Sequence, residues 1–258
     1  MTEMDRRLHK PTMKLHRATV MKEVGYDIPL LTQNTQDCAQ SSASQILSYY
    51  GIKKSIEDIK KEVPVYISSE GKPLGSSLGH IATYFIQLGL ETTLHSVDIE
   101  IFDRSWKDFD NQTLIQKLRE RRKYLKHARY EEAALDLVVD GYAQFLKKGG
   151  RIVFPIVDEA YLYQLIQKGP IYTILSYNFL NQVSKYKFVS DGKPVQDSIA
   201  GSPSTHAVVI SGYKLGKFEI TDPDYRFGGK KLIHPGQIIG AFYLAETDFD
   251  PLLITLKK

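Results

Sequence analysis

The chain has 258 residues, with 34 Lys and Arg against 30 Asp and Glu for a net charge of +4, and 42% of its residues are hydrophobic. This composition is typical of a globular protein and gives no strong case for binding nucleic acid. A single cysteine excludes an internal disulfide and a multi-cysteine zinc site. Because no apolar run reaches the roughly 18 to 20 residues that cross a bilayer, and the charged N-terminus lacks a signal core, we expect a cytoplasmic protein without a membrane span.

The N-terminal part of the chain is predicted to lead into a helix that begins at the cysteine. Residues 1–22 are expected to form an extended arm, and 26–31 a short strand. Asp37 is the expected N-cap of the helix and Gly51 its stop. Small or apolar residues recur between them at helical spacing, namely Ala39, Ala43, Ile46, Leu47 and Tyr50. A thiol in the first turn of a helix lies beside unpaired backbone N–H groups, which favours the nucleophilic thiolate form of Cys38.

The ordinary role of an unpaired cysteine is that of a small buried hydrophobe. The polar stretch 32–37 instead indicates that Cys38 lies at the mouth of a loop. Within that stretch Gln33, five residues before the cysteine, carries an amide that can donate a hydrogen bond to a developing oxyanion.

The first half continues with a short helix after a capping box at Ser55, a loop over 65–75, a helix from Ser76 or Ser77 to Gly89, and a strand over 90–97. Two longer helices are then predicted between 110 and 148, closed by two glycines. We interpret residues 98–148 as a helical insertion or lid. The basic run 117–126 within it is interpreted as a solvated helix face in preference to a site for an acidic partner.

From residue 151 the sequence changes to short runs rich in Val, Ile, Phe and Tyr. They predict strands at 151–157, 171–177, 206–213 and 217–221, with a helix over 159–167. The last two strands are joined by Lys214, Leu215 and Gly216, which predicts an antiparallel hairpin. Helices in the first half and an antiparallel sheet in the second predict an α+β fold.

The predicted hairpin brings a histidine and an aspartate together. His206 opens its first strand and Asp222 follows its second, sixteen residues later. The two therefore lie at the same end, where Asp222 can bind one imidazole nitrogen while the other faces a thiol. Each has an ordinary explanation alone, a partly buried histidine and an Asp-Pro turn. With Cys38 they form a set of nucleophile, base and orienting group.

The other histidines do not indicate a metal site, since none has a partner at metal-ligand spacing: His9, His16, His80, His95, His127 and His234. The chain also lacks a glycine-rich loop with the spacing that holds phosphates. We therefore expect neither a metal nor another cofactor.

These motifs together resemble the C39 group of papain-like cysteine peptidases. The matching parts are Gln33, the helix start DCAQSSASQILSYYG, then HAVVISGY and TDP, and SLGHIATYFIQLGLET is similar to the second helical segment of that group. The resemblance covers about residues 27–97 and 150–247. The chain departs from the group at Ala39, where glycine is usual, and in the spacing of Gln33, which is usually six residues before the cysteine.

The resemblance implies a papain-like fold over 23–258, with the nucleophile helix packed on the antiparallel sheet. It also implies that Cys38 is the nucleophile, His206 the general base, Asp222 its orienting partner and Gln33 the oxyanion-hole donor. Many members are leader peptidases fused to transporters, and this chain looks more like the stand-alone ones. The implied activity is hydrolysis of a peptide or isopeptide bond in a peptide or protein substrate. Acyl or peptidyl transfer through the same thioester, and a non-catalytic peptide-binding domain of the same fold, remain open.

Overall fold

The computed structural model describes residues 21–34, 36–63, 65–69, 71, 73–126, 131–188, 194–245 and 252–258. The predicted arm over 1–22 lies outside these residues except for its last two positions. Within the described part, helices and a large, mostly antiparallel sheet form one α+β arrangement, which confirms the predicted class. The division into an arm, a peptidase domain and an insertion stays a prediction.

The first half contains β1 (Val24–Gly25), α1 (Cys38–Tyr49), α2 (Ile56–Glu62), β2 (Tyr66–Ile67), β3 (Pro73–Gly75), α3 (Leu78–Gln87) and β4 (Glu91–Ser96). The helix predicted after Asp37 begins at Cys38, and Gly51 follows its end with a φ of 76° that favours glycine. The capping box is confirmed, because the Asp58 backbone N–H donates to Ser55 Oγ at 3.1 Å.

Two predictions for this half were wrong. Residues 26–31 form no strand, and the two-residue β1 lies just before them, because the Ile28 N–H donates to the Tyr26 carbonyl in a turn and Pro29 has no N–H to pair. The loop expected over 65–75 contains the β2–β3 hairpin, whose strands are too short to give a period-two pattern.

The middle of the chain forms a 3-10 turn (Arg104–Asp108), α4 (Asn111–Arg122) and α5 (Glu132–Lys147), so both predicted helices are present. Leucines of α4 and aromatic residues of α5 enter the same core as α1 and α3. The backbones of α3 and α5 touch where two glycines meet, since a Cβ on Gly79 would lie 2.3 Å from the carbonyl carbon of Gly141. The segment is therefore a packed layer of the fold.

The second half contains β5 (Arg151–Val153), α6 (Glu159–Ile166), β6 (Ile171–Ser176), α7 (Tyr177–Asn181), β7 (Tyr186–Phe188), β8 (Pro194–Gln196), β9 (Thr205–Lys214), β10 (Lys217–Asp222), β11 (Gly229–Ile233), α8 (Pro235–Tyr243) and β12 (Leu252–Lys257). The β9–β10 hairpin is confirmed, with a turn at Leu215 and Gly216 that both have positive φ. The strand predicted over 151–157 ends at Val153, two residues before Pro155, because proline disfavours continued pairing.

The main sheet has the strand order β11-β10-β9-β6-β12-β4-β5, and β1 pairs with β9. The expected purely C-terminal, antiparallel sheet needs two corrections: β4 comes from the first half, and it pairs in parallel with β5. Strand β12, at the end of the chain, pairs with both β6 and β4 and so joins the strands of the two halves in one sheet. Alternate residues of the central strands enter two cores, one on each face of the sheet.

Candidate active site

His206 and Asp222 form a buried pair at one end of the sheet. The Nε2–H of His206 donates to Oδ1 of Asp222 at 2.7 Å, and the two residues are 3% and 0% exposed. The backbone N–H of Asp224 donates to the same oxygen at 2.9 Å. Since an ionised carboxylate only accepts hydrogen bonds, these contacts fix the orientation of Asp222 and place the donor hydrogen of His206 on Nε2.

An irregularity in the hairpin positions this pair. Strands β9 and β10 pair Glu219 with Gly212, but the next residue, Ile220, pairs with Ile210. Ser211 is therefore an extra residue in β9, a β-bulge that shifts the register by one. Its hydroxyl donates to the Glu219 carbonyl at 3.4 Å, so the bulge is held from within the hairpin.

The bulge decides which face of the hairpin carries Asp222. After it, Thr221 pairs with Val209, so Asp222 lies opposite Val208, two residues from His206 and on the same face. Without the shift, Asp222 would lie opposite Val209 and point to the other face. The sixteen-residue spacing brings the two residues to one end, as predicted, and the bulge gives them a common face.

Cys38 is brought to His206 by the packing of α1 on the sheet. The Ser42 hydroxyl donates to the Ala207 carbonyl at 3.0 Å, and the Tyr172 hydroxyl donates to the Ala39 carbonyl at 3.3 Å. Cys38 is half-buried, and its side chain lies close enough to His206 to help raise the pKa of the imidazole. Because Nε2 is bound to Asp222, Nδ1 is the ring nitrogen left for the thiol.

The charges of the pair are strongly coupled. Burial by itself lowers the pKa of His206, but the hydrogen bonds with Asp222 and Cys38 raise it well above its ordinary value. Burial alone raises the pKa of Asp222, but His206, Lys231 and the backbone N–H of Asp224 together lower it to about 2. The arrangement therefore favours an imidazolium between a carboxylate and the sulfur.

Sequence reasoning missed Lys231, whose Nζ lies 2.8 Å from Oδ2 of Asp222. Lys231 also donates to Oδ1 of Asn181 at 3.1 Å. Nothing in the local sequence distinguishes Lys231 from the adjacent Lys230, and the strand that contains both was not predicted.

Gln33 lies beside the turn that follows Asp222. Its backbone N–H donates to the Pro223 carbonyl at 2.9 Å, which ties the loop before Cys38 to the end of β10. Its Oε1 is buried and has no hydrogen-bond partner within the described ranges. The loop reaches α1 through Gln36, whose φ of 64° is rare for a residue with a side chain. The structure thus brings Gln33 to this end of the sheet, and its donor role stays a prediction.

An aromatic wall covers the histidine. The ring of Tyr177 meets that of His206 edge-on with centroids 5.5 Å apart, and Phe227 packs against Tyr177 at 6.3 Å. The guanidinium of Arg226 lies over the Tyr177 and Tyr186 rings at 5.3 and 5.0 Å. Burial and the charge of Asp224 raise the pKa of Tyr177 above its ordinary value, so this hydroxyl stays neutral. The sequence did not indicate the wall, because its members come from α7, β7 and the loop between β10 and β11.

In the part of the chain that the structure describes, no group of three or more His, Cys, Asp or Glu is arranged to hold a metal ion. No helix there is long and apolar enough to cross a membrane.

Comparison with known proteins gives likeness at the level of structure alone. No protein-family profile and no curated protein matches the chain. The chain is similar to a candidate C39-like peptidase from Bacillus anthracis, with 14% identity and a TM-score of 0.43, over 92% of this chain and 98% of that one.

Two further similar structures are peptidase parts of transporters. One is the peptidase domain of Streptococcus ComA, a bifunctional ABC transporter in a quorum-sensing pathway, with 16% identity, a TM-score of 0.37 and coverage of 88% and 96%. The other is a double-glycine-motif protease from an AMS/PCAT transporter in complex with the leader peptide, with 14% identity, a TM-score of 0.38 and coverage of 90% and 93%. Likeness at this level says nothing of activity, which depends on the side chains of the site.

Proposed function

We propose that the protein is a cysteine peptidase that hydrolyses a peptide or isopeptide bond in a peptide or protein substrate. Cys38 is the nucleophile, His206 the general acid and base, and Asp222 the group that orients His206. The observation that carries the proposal is the buried His206–Asp222 hydrogen bond, with the half-buried Cys38 at the start of the helix that packs beside His206.

The first half of the reaction forms a thioester. The Cys38 thiolate attacks the substrate carbonyl carbon, and the carbonyl oxygen becomes an oxyanion. Its charge is stabilised by the backbone N–H of Cys38, in the first turn of α1, and by the side-chain amide of Gln33. When the C–N bond breaks, His206 gives its proton to the leaving amine, which departs neutral.

The second half releases the product. His206, now neutral, takes a proton from a water molecule, which attacks the thioester carbonyl. The C–S bond breaks, the carboxylic acid product leaves, and the thiolate and imidazolium pair is restored. Through both halves Asp222 keeps Nε2–H of His206 bound at 2.7 Å, so Nδ1 remains directed at the reacting atoms.

The proposal is tested by incubating the purified chain with a mixture of peptides and identifying new termini by mass spectrometry. We expect new C-terminal carboxylates with the wild type and none with Cys38→Ala, which keeps a small residue at the helix start. Added hydroxylamine should divert part of the product to hydroxamate, since it attacks the thioester in place of water. Binding of peptides without cleavage, equal in both proteins, would favour the non-catalytic alternative.

A further inference from the structure

We propose that Lys231 is a positioning residue of the candidate site, whose charge acts through Asp222 to set the pH range over which the Cys38–His206 pair is reactive. The inference rests on the proposed function and deepens it. Its first basis is geometric: the Asp222 carboxylate is fully buried and lies between His206, 2.7 Å from Oδ1, and Lys231, 2.8 Å from Oδ2.

The ammonium of Lys231 is fixed by its own contacts. Asn181 Oδ1 at the end of α7 and the Phe227 carbonyl accept its other hydrogen bonds. Lys231 pairs with Ile220 in the sheet, two residues before Asp222, so its side chain lies on the face that carries Asp222. Its side chain is only 26% exposed, which limits the screening of its charge by solvent.

The neighbouring lysine provides a natural contrast. Lys230 pairs with Thr221, so its side chain projects from the opposite face of the sheet. It lies 3.4 Å from the exposed Asp27 and is itself 42% exposed. Adjacent residues of one strand thus carry the same charge, but only Lys231 binds Asp222.

When the thiol is ionised, charges of alternating sign follow one another across the site, in the order Cys38, His206, Asp222 and Lys231. Within the described residues, Tyr177 also lies near enough to feel the charge of Asp222, and Arg226 pairs at 3.5 Å with Asp224, whose backbone N–H donates to Asp222. A positive charge stabilises every nearby deprotonated group, so its removal raises the pKa of Asp222 and of His206 and disfavours the thiolate. In a plot of Cys38 alkylation rate against pH, the acid limb and the basic limb should then both move to higher pH. If Lys231 served only to pack the structure, its removal would change the alkylation rate but would not shift the pH profile.

The test compares Lys231→Met, Lys231→Arg and Lys230→Met by the pH dependence of Cys38 alkylation with iodoacetamide, over about pH 4 to pH 10. We expect Lys231→Met to move the acid limb upward by about half a pH unit or more, because an opposite charge at this distance shifts a carboxyl pKa by about one unit or more. Lys231→Arg and Lys230→Met should retain the wild-type limbs.

Identical limbs for Lys231→Met and Lys230→Met, or a lower rate with unmoved limbs, would overturn the role of Lys231. Circular dichroism establishes that each variant is folded. If Lys231→Met does not fold, Lys231→Gln, which keeps a donor for Asp222 without the charge, is compared in the same way. A wild-type thiol that behaves as a free one overturns the proposed function as well, whereas an activated thiol that ignores Lys231 overturns this inference alone.

Discussion

Asp222 shares a face of the β9–β10 hairpin with His206, and the extra residue Ser211 in β9 is what puts it there. The bulge lies within the hairpin. It nevertheless determines whether the carboxylate can reach Nε2 of His206, because a change of one residue in register turns a side chain to the other face. The candidate site therefore depends on backbone geometry as much as on its side chains.

The first prediction concerns the stability contributed by Asp222. Its pKa is about 2 in the folded protein against an ordinary 3.8, so its contribution is present above about pH 4 and is lost as the pH falls toward about 2. We compare the free energies of unfolding of the wild type and Asp222→Asn. The advantage of the wild type should be about 2 kcal/mol smaller near pH 2 than at neutral pH. Urea unfolding at a series of pH values measures this; a constant difference would contradict it.

The second prediction separates the oxyanion donor from the nucleophile. Gln33→Ala should lower the turnover of a cleaved peptide about 10²- to 10³-fold, because it removes one donor to the oxyanion. Its alkylation rate with iodoacetamide should match the wild type, since that reaction forms no oxyanion. Parallel rate measurements on the two reactions test the split. Equal losses in both would indicate that Gln33 supports the loop before Cys38 and does not donate to the substrate.

The third prediction concerns a buried histidine outside the site. His95 is 5% exposed, with Nδ1 at 2.7 Å from the Tyr161 hydroxyl and Nε2 at 2.8 Å from that of Thr255. Burial, reinforced by the charges of Arg151 and Lys168, lowers the pKa of His95 to about 4. The unfolded chain therefore binds a proton at higher pH than the folded one, and stability is lost as the pH falls from about 6.5 to about 4.

We expect this loss to amount to about 3 kcal/mol in the wild type, and to be much smaller in His95→Gln, which keeps a donor and an acceptor. Thermal or urea unfolding of both proteins across that range provides the measurement. Parallel pH dependences would show that His95 is not responsible.

The fourth prediction tests the contact between α3 and α5. Gly79→Ala places a Cβ 2.4 Å from the Tyr142 backbone nitrogen, which no rotamer change can relieve. We expect the free energy of unfolding to fall by about 1 to 3 kcal/mol. Gly236→Ala in α8 is the matched control, because its Cβ would meet only the His234 ring, at 3.4 Å or more. An equal effect of both substitutions would argue against the close helix contact.

What the sequence predicted correctly are the features with local signals. The start of α1 at Cys38 follows from helical spacing after Asp37, and the β9–β10 hairpin from two β-rich runs around Gly216. The cap itself differs, since the Asp37 side chain accepts no bond from a backbone N–H of the helix. Its Oδ1 accepts from the Ser41 hydroxyl at 3.5 Å, and its Oδ2 lies 3.6 Å from Nζ of Lys60.

The features that could not be predicted depend on contacts between distant parts of the chain. The bulge at Ser211 leaves no mark in the spacing of apolar residues, and Lys231 approaches Asp222 only through the pairing of β10 with β11. The place of β12 between β6 and β4 is likewise a tertiary outcome, because nothing in its own six residues specifies either neighbour.

The central claim is that His206 activates Cys38 as a nucleophile, and the pH dependence of Cys38 alkylation by iodoacetamide in the wild type and in His206→Ala tests it most directly. We expect the wild type to be alkylated faster than His206→Ala throughout about pH 6 to pH 8.5, whereas the rate of the variant should fall about tenfold for each pH unit below about 8.5, as for a free thiol. Circular dichroism confirms that the variant is folded. A wild-type rate that falls in the same way as that of the variant would contradict the account and favour a non-catalytic peptide-binding domain.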